Sequence, residues 1–174
     1  MDFTGDFDPA NWTFTTTNAD GSVNTTNAPT SITLTGGDDG SAGTTDYTIT
    51  APSNETISFS WNYSTSDGPN FDPFIRLLNS VETRLTDDGG ADNQSGTDSF
   101  TVNSGDTFGF RITTVDGIVG PGSVTISDFA SSPSASVPFE FSPALGLVLA
   151  SGLFGSSHFY RQHKAGEVIL NSEA

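Results

Sequence analysis

The segment Thr56–Ile57–Ser58–Phe59–Ser60–Trp61–Asn62–Tyr63–Ser64 decides the fold class. Ile57, Phe59, Trp61 and Tyr63 fall on one side of an extended chain, and Ser58, Ser60 and Asn62 on the other. This two-residue period marks a strand with one face buried and the other wet. The same alternation recurs outward from it, in Ser31–Thr35 and Asp46–Thr50. A threonine-rich extended segment starts at Thr13, after Trp12. Phe74–Asn79 and Glu82–Leu85 predict a hairpin turning at Asn79–Ser80. Ser99–Asn103, Thr107–Ile112 and Val124–Phe129 complete a set of about nine short strands. Turn dipeptides such as Asp20–Gly21, Gly36–Gly37, Asp67–Gly68 and Ser104–Gly105 stand between them, and no helical period occurs before residue 140. The expectation is an all-β protein, a jelly-roll-like antiparallel sandwich. Jelly-roll and immunoglobulin-like topologies share this pattern, and no cysteine pair supports a true immunoglobulin domain.

Composition narrows the function. The 174 residues hold 21 acidic and 5 basic side chains, two histidines and no cysteine, for a net charge of −16. Disulfides, thiolate metal sites and cysteine nucleophiles are excluded. Nucleic acid is not expected as a partner, because phosphate binding needs clustered Lys and Arg. The charge is uneven. Three of the 21 acids, Glu140, Glu167 and Glu173, lie beyond residue 130, which leaves 18 acids against Arg76, Arg84 and Arg111 in the strand-rich part. That part has no lysine, and its acidic repulsion suits a soluble extracellular domain.

The composition changes at Ser131–Ser132–Pro133–Ser134–Ala135–Ser136, a Ser/Pro linker. Ala144–Tyr160 follows, uncharged and apolar, and then Arg161 and Lys164. Its 17 residues match the short end of a membrane-spanning helix. A terminal helix packed on the sandwich is the alternative. The cations immediately behind it favour the membrane, as a stop that stays cytoplasmic while the acidic domain faces out. His158 and His163 read as membrane-interface residues. The expected organisation is a sandwich over 1–130, a linker over 131–137, a motif with membrane helix and basic stop over 138–164, and a flexible tail over 165–174. Met1–Asp6 has neither a basic nor an apolar signal region, which does not agree with export. The preferred expectation is a signal peptide missing from this start, through a late start or a mature form with an added Met, and a cytosolic protein with a tail-anchored helix is the alternative.

Two resemblances add to this. Phe59–Ser60–Trp61–Asn62–Tyr63, Gly68–Pro69–Asn70–Phe71–Asp72–Pro73–Phe74 and Asn103–Ser104–Gly105–Asp106 resemble a β-sandwich module of secreted bacterial and marine surface proteins. It is similar in style to CUB-like jelly rolls without their cysteines, and it implies a fold rather than an activity. Val137–Pro138–Phe139–Glu140–Phe141–Ser142–Pro143, followed by a glycine-bearing apolar run and basic residues, resembles the PEP-CTERM class of C-terminal sorting signals. The match is to a Pro-Phe-Glu variant associated with cyanobacteria. The resemblance implies export, with Pro138, Phe139 and Glu140 as the recognised stretch and a sorting protease as partner. Ala165–Ala174 extend past the point where that class usually stops.

Candidate chemistry is sparse. Calcium takes about six to eight oxygen ligands, and Asp38–Asp39 and Asp87–Asp88 lie in glycine-rich loops that could supply them. Asp6, Asp8 and Asp128 would add a further site if the first and last strands were neighbours. Solvated acidic loops are the plainer reading of all of these. Arg111 is expected to pair with Asp72 or Asp106, Trp12 and Trp61 to lie in the core, and Tyr63 to reach solvent. The strand-rich part has no histidine, which removes Ser-His-Asp and His-zinc chemistry. No enzyme is expected, and a carboxylate-based glycosidase is the remote alternative. The favoured reading is an exported envelope or extracellular-matrix protein acting in adhesion or assembly, through self-association or surface polysaccharide. A calcium-dependent carbohydrate-binding module is the alternative.

Overall fold

The segment around Trp61 is the second strand from the edge of a five-stranded sheet. A computed structural model describes residues 2–134. It contains ten strands: β1 Thr13–Thr17, β2 Ser22–Asn24, β3 Ser31–Thr35, β4 Gly43–Thr50, β5 Glu55–Ser64, β6 Phe74–Leu78, β7 Val81–Arg84, β8 Asn93–Val102, β9 Thr107–Thr114 and β10 Ser123–Pro133. They form two antiparallel sheets, ordered β1-β4-β9-β6-β7 and β2-β3-β10-β5-β8. The expected two-layer antiparallel sandwich is present, with one strand more than the pattern suggested. The linker, sorting motif, membrane stretch and tail beyond Ser134 lie outside the described residues. β10 runs through Ser131, Ser132 and Pro133, so the first three residues of the expected linker are strand, paired with Ile57, Thr56 and Glu55.

The alternation in β5 works as its pattern implies. Ile57, Phe59, Trp61 and Tyr63 are all buried. They meet Phe108, Phe110 and Ile112 of β9 and Phe74 of β6 in one aromatic-rich core. Trp12 closes one end of it, stacked on Tyr47 at 4.9 Å and Phe110 at 5.6 Å between ring centroids. Aromatic pairs of this kind add about 0.5–1.5 kcal/mol each beyond their burial. Both tryptophans are therefore core residues, as expected. Tyr63 is not at the surface. It is 3% exposed, and its hydroxyl donates to the backbone carbonyl of Asp72 at 2.9 Å. Burial of the ring pushes its pKa up to about 12.

A bulge at Asp128 shows how the core selects register. Ser127 pairs with Ser60 and Ala130 with Ser58, so β10 carries one extra residue there. Asp128 absorbs it at φ 50°. Strict alternation would have turned Asp128 inward after Val124 and Ile126. The bulge instead sends Phe129 inward, where it stacks on Phe3 at 4.7 Å.

Arg76 is an inward cation. It follows Phe74 on the same side of β6 and forms an ion pair across to the other sheet, with Nε 2.9 Å from Asp98 Oδ2 on β8. Its guanidinium lies 4.4 Å from the centre of the Phe100 ring.

Candidate functional site

The outward residues of the β2-β3-β10-β5-β8 sheet form the most uniform surface of the sandwich. On β5 they are Thr56, Ser58, Ser60, Asn62 and Ser64, and on β8 Asn93, Ser95, Thr97, Ser99 and Thr101. On β10 they are Ser123, Thr125 and Ser127, followed by Asp128 in the bulge, and on β3 Ser31, Thr33 and Thr35. Ser22 and Asn24 of β2 complete the face. Asp128 is the one charged residue among these positions, and none is aromatic.

Register turns them into rows. Asn24, Thr33, Thr125, Asn62 and Ser95 stand opposite one another across all five strands. Ser22, Thr35, Ser123, Ser64 and Asn93 form the next row. Ser31, Ser127, Ser60 and Thr97 form a third on the other side of the first. Neighbours within a row are about 4.7–4.9 Å apart and rows about 6.6 Å. Thr33 and Thr125 share a hydrogen bond of 3.1 Å, and Thr35 and Ser123 one of 3.3 Å, which fixes these hydroxyls in place.

Two depressions lie along β5 on this face. One, of about 380 Å³, is lined by Ser58, Ser60, Thr97, Asp98, Ser99 and Asp128. The other, of about 330 Å³, is lined by Asn62, Ser64, Asn93, Ser95 and Thr125. Their centres are separated by about four residues of β5, roughly 13 Å. Together they make a shallow polar furrow along the strand, offering hydroxyl and amide groups as both donors and acceptors.

The acidic residues singled out for calcium are not brought together. Among the described residues, no three His, Cys, Asp or Glu side chains are grouped so as to hold a metal ion. Asp38 and Asp39 lie between β3 and β4, and Asp87 and Asp88 between β7 and β8. Each has a structural partner: Asp38 accepts from Gly120 N, Asp39 from Ser41 N and Asp87 from Gly89 N, and Asp88 pairs with Arg84. The first and last strands are in different sheets, which removes the neighbourhood on which the Asp6, Asp8 and Asp128 site depended.

Arg111 pairs neither with Asp72 nor with Asp106. Its Nε and Nη2 each lie 2.6 Å from an oxygen of Asp46, directly opposite on β4, and its Nη1 lies 2.5 Å from Glu82. These hydrogen bonds raise the Arg111 pKa above its ordinary value. Asp106 instead accepts from Asn103 N and from Asn79 Nδ2, and these bonds hold its carboxyl below the usual range.

Asp72 is the unusual acid. It is 2% exposed, and burial, with Asp67 and Asp116 nearby, pushes its pKa up to about 6. Thr65 Oγ1 donates to it at 2.9 Å. Gly122 lies so close that a Cβ there would sit 2.6 Å from the Asp72 Cβ.

No family model matches the sequence, and no curated protein matches it. Solved structures do. One, described as a carbohydrate-binding module of the β-sandwich superfamily, is 14% identical over 70% of this chain with a TM-score of 0.45. This chain spans 57% of that structure's length. A family 35 carbohydrate-binding module from Clostridium thermocellum is 15% identical over 65% of this chain and 90% of its own, with a TM-score of 0.37. A family 35 module from Paenibacillus barcinonensis is 17% identical over 70% of this chain and 99% of its own, with a TM-score of 0.36.

Proposed function

We propose that this protein is a non-catalytic binding module for neutral, extended polysaccharide, and that the furrow of hydroxyl and amide groups along β5 is its contact surface. The observation that carries this reading is the register-aligned set of Ser, Thr and Asn rows, free of charge in a domain whose 18 acids and three arginines leave −15. A chain with so many carboxylates repels anionic ligands and repels its own copies, whereas a neutral glycan carries no such penalty. Hydroxyl and amide groups on a rigid sheet match the hydroxyls of sugars. Self-association through this face, the basis of the adhesion reading, works against the same charge.

The furrow has no aromatic platform, so each contact is a hydrogen bond with a net value of about 0.5–1.5 kcal/mol. Affinity must therefore accumulate along a chain. Titration calorimetry with soluble neutral β-glucan, mannan and xylan, and with oligosaccharides of increasing length from each, tests this. Affinity rising with length and unaffected by calcium chelation supports the reading. Absence of heat with every neutral glycan overturns it.

The sorting-signal resemblance supports a place for this module. Pro138–Phe139–Glu140, the apolar stretch after it, and Arg161 and Lys164 behind that support export to the envelope or cell exterior, anchored at least transiently through the C-terminal segment. Fractionation of the native host checks it: the protein is expected with membranes or outside the cell, and recovery only in the cytosol would refute it.

A further inference from the structure

The opposite face of the sandwich carries a different kind of site. In the β1-β4-β9-β6-β7 sheet, Thr48, Gly109 and Leu77 stand opposite one another on three adjacent strands. Gly109 has no side chain and cannot acquire one, because a Cβ would lie 2.2 Å from the Tyr47 carbonyl oxygen. A gap therefore opens between Thr48 and Leu77, two strand spacings apart. It forms a cavity of about 280 Å³ lined by Asp46, Thr48, Leu77, Ser80, Thr107 and Arg111.

The walls are held in place. At one end Asp46 and Glu82 grip the Arg111 guanidinium through three hydrogen bonds. At the other, Ser80 sits in the β6–β7 turn, where Asn79 and Ser80 adopt φ of 49° and 67°. Asn79 ties that turn to β9: its N–H donates to Thr107 O at 2.7 Å, and its side-chain oxygen accepts from Thr107 N at 3.0 Å. A second depression of about 320 Å³, lined by Asp6, Asn11, Thr13, Thr50 and also by Thr48 and Thr107, continues the first toward β1.

We infer that this cavity is a second carbohydrate site, one that takes a single neutral pyranose ring. Its chemistry is that of a sugar in negative. Leu77, 7% exposed, forms a small apolar floor for ring C–H groups. The hydroxyls of Thr48, Thr107 and Ser80 and the ion-paired groups around Arg111 offer donors and acceptors for ring hydroxyls. Two carboxylates against one guanidinium leave the site one charge negative, which disfavours uronic acids, sulfated sugars and phosphates. The proposal shares its ligand class with the polysaccharide reading but rests on a different sheet and different residues.

Amide-resolved NMR of the full chain, titrated with methyl β-D-glucopyranoside, methyl α-D-mannopyranoside and methyl β-D-galactopyranoside to about 50 mM, tests it. This range covers the millimolar affinity expected of one ring. Saturable shifts at the Thr48, Thr107 and Gly109 amides and at the Arg111 Nε–H are expected with at least one sugar. The double variant Thr48→Val, Thr107→Val removes two hydroxyls and keeps the shape and the ion pairs, and it should weaken that binding about tenfold. No saturable shift at these positions with any of the three, or equal binding by the double variant, overturns the proposal. Shifts at Ser60, Asn62 and Thr97 report the other face separately, so failure of one site is distinguishable from failure of the other.

Discussion

Replacing Asp72 by Asn should stabilise the protein at neutral pH, against the general rule that changes to buried residues destabilise. The Asp72 carboxyl has its pKa raised from 3.8 to about 6 in the fold, by burial first and by Asp67 and Asp116 after it. A group whose folded pKa is raised favours the protonated fold. Its full contribution is present below pH 3.8 and is lost as the pH rises through about 6. Two pKa units at 1.36 kcal/mol each amount to about 3 kcal/mol lost between pH 4 and pH 7. The group is 2% exposed, so solvent screening does not diminish this greatly. Asn keeps an oxygen to accept from Thr65 and Gly122 and carries no charge. At pH 7.5, Asp72→Asn should therefore raise stability by up to about 3 kcal/mol, with a Tm increase of roughly 10 °C for a domain of this size. At pH 4 the two proteins should nearly coincide. Thermal unfolding followed by circular dichroism between pH 4 and 8 gives both curves. A variant less stable than the parent at every pH, or a parent whose stability does not fall relative to the variant across pH 4–7, would refute the reasoning.

Other predictions follow from the packing. Arg76→Ala strands the Asp98 carboxylate and loses the contact with Phe100, and should cost about 3 kcal/mol in urea unfolding. The double change Arg76→Leu, Asp98→Leu should restore much of that loss. Gly122→Ala drives a methyl group into Asp72 and should destabilise by about 2 kcal/mol. Binding of neutral polysaccharide should change less than about twofold between about 0.05 and 0.5 M salt, because an uncharged glycan meeting Ser, Thr and Asn rows leaves little charge interaction to screen, and calorimetry at the two salt concentrations checks this.

Legibility in the sequence followed locality and periodicity. β5 is readable because its inward positions are all large and apolar, and the β6–β7 turn because Asn79–Ser80 is a turn pair directly after the apolar run Phe74–Leu78. The first half of β8 is not. Its inward positions are Gln94, Gly96 and Asp98, which carry no apolar signal. Gly96 gives way to the Trp61 ring, whose Cζ2 would lie 2.8 Å from a Cβ, and Asp98 answers Arg76 from the other sheet. The short β2 gave only Ser22–Val23–Asn24, too little for a period. Sequence alone points Arg111 to nearby or loop acids, whereas its partner Asp46 lies 65 residues away and opposite it in register. The candidate face suffered the same limit. The sequence contains every Ser, Thr and Asn in it, but only the pairing of β10 between β3 and β5 sets them in rows.

The most direct test of the account is calorimetric binding of neutral polysaccharide by the full chain and by its triple variant Asn62→Ala, Ser95→Ala, Thr97→Ala. These side chains are on the outer face of the furrow, so the variant should unfold within about 1 kcal/mol of the parent. Three lost hydrogen bonds at about 1 kcal/mol each should weaken binding by about a hundredfold. Equal affinity of the two proteins for the same glycan would place its binding elsewhere and contradict the account.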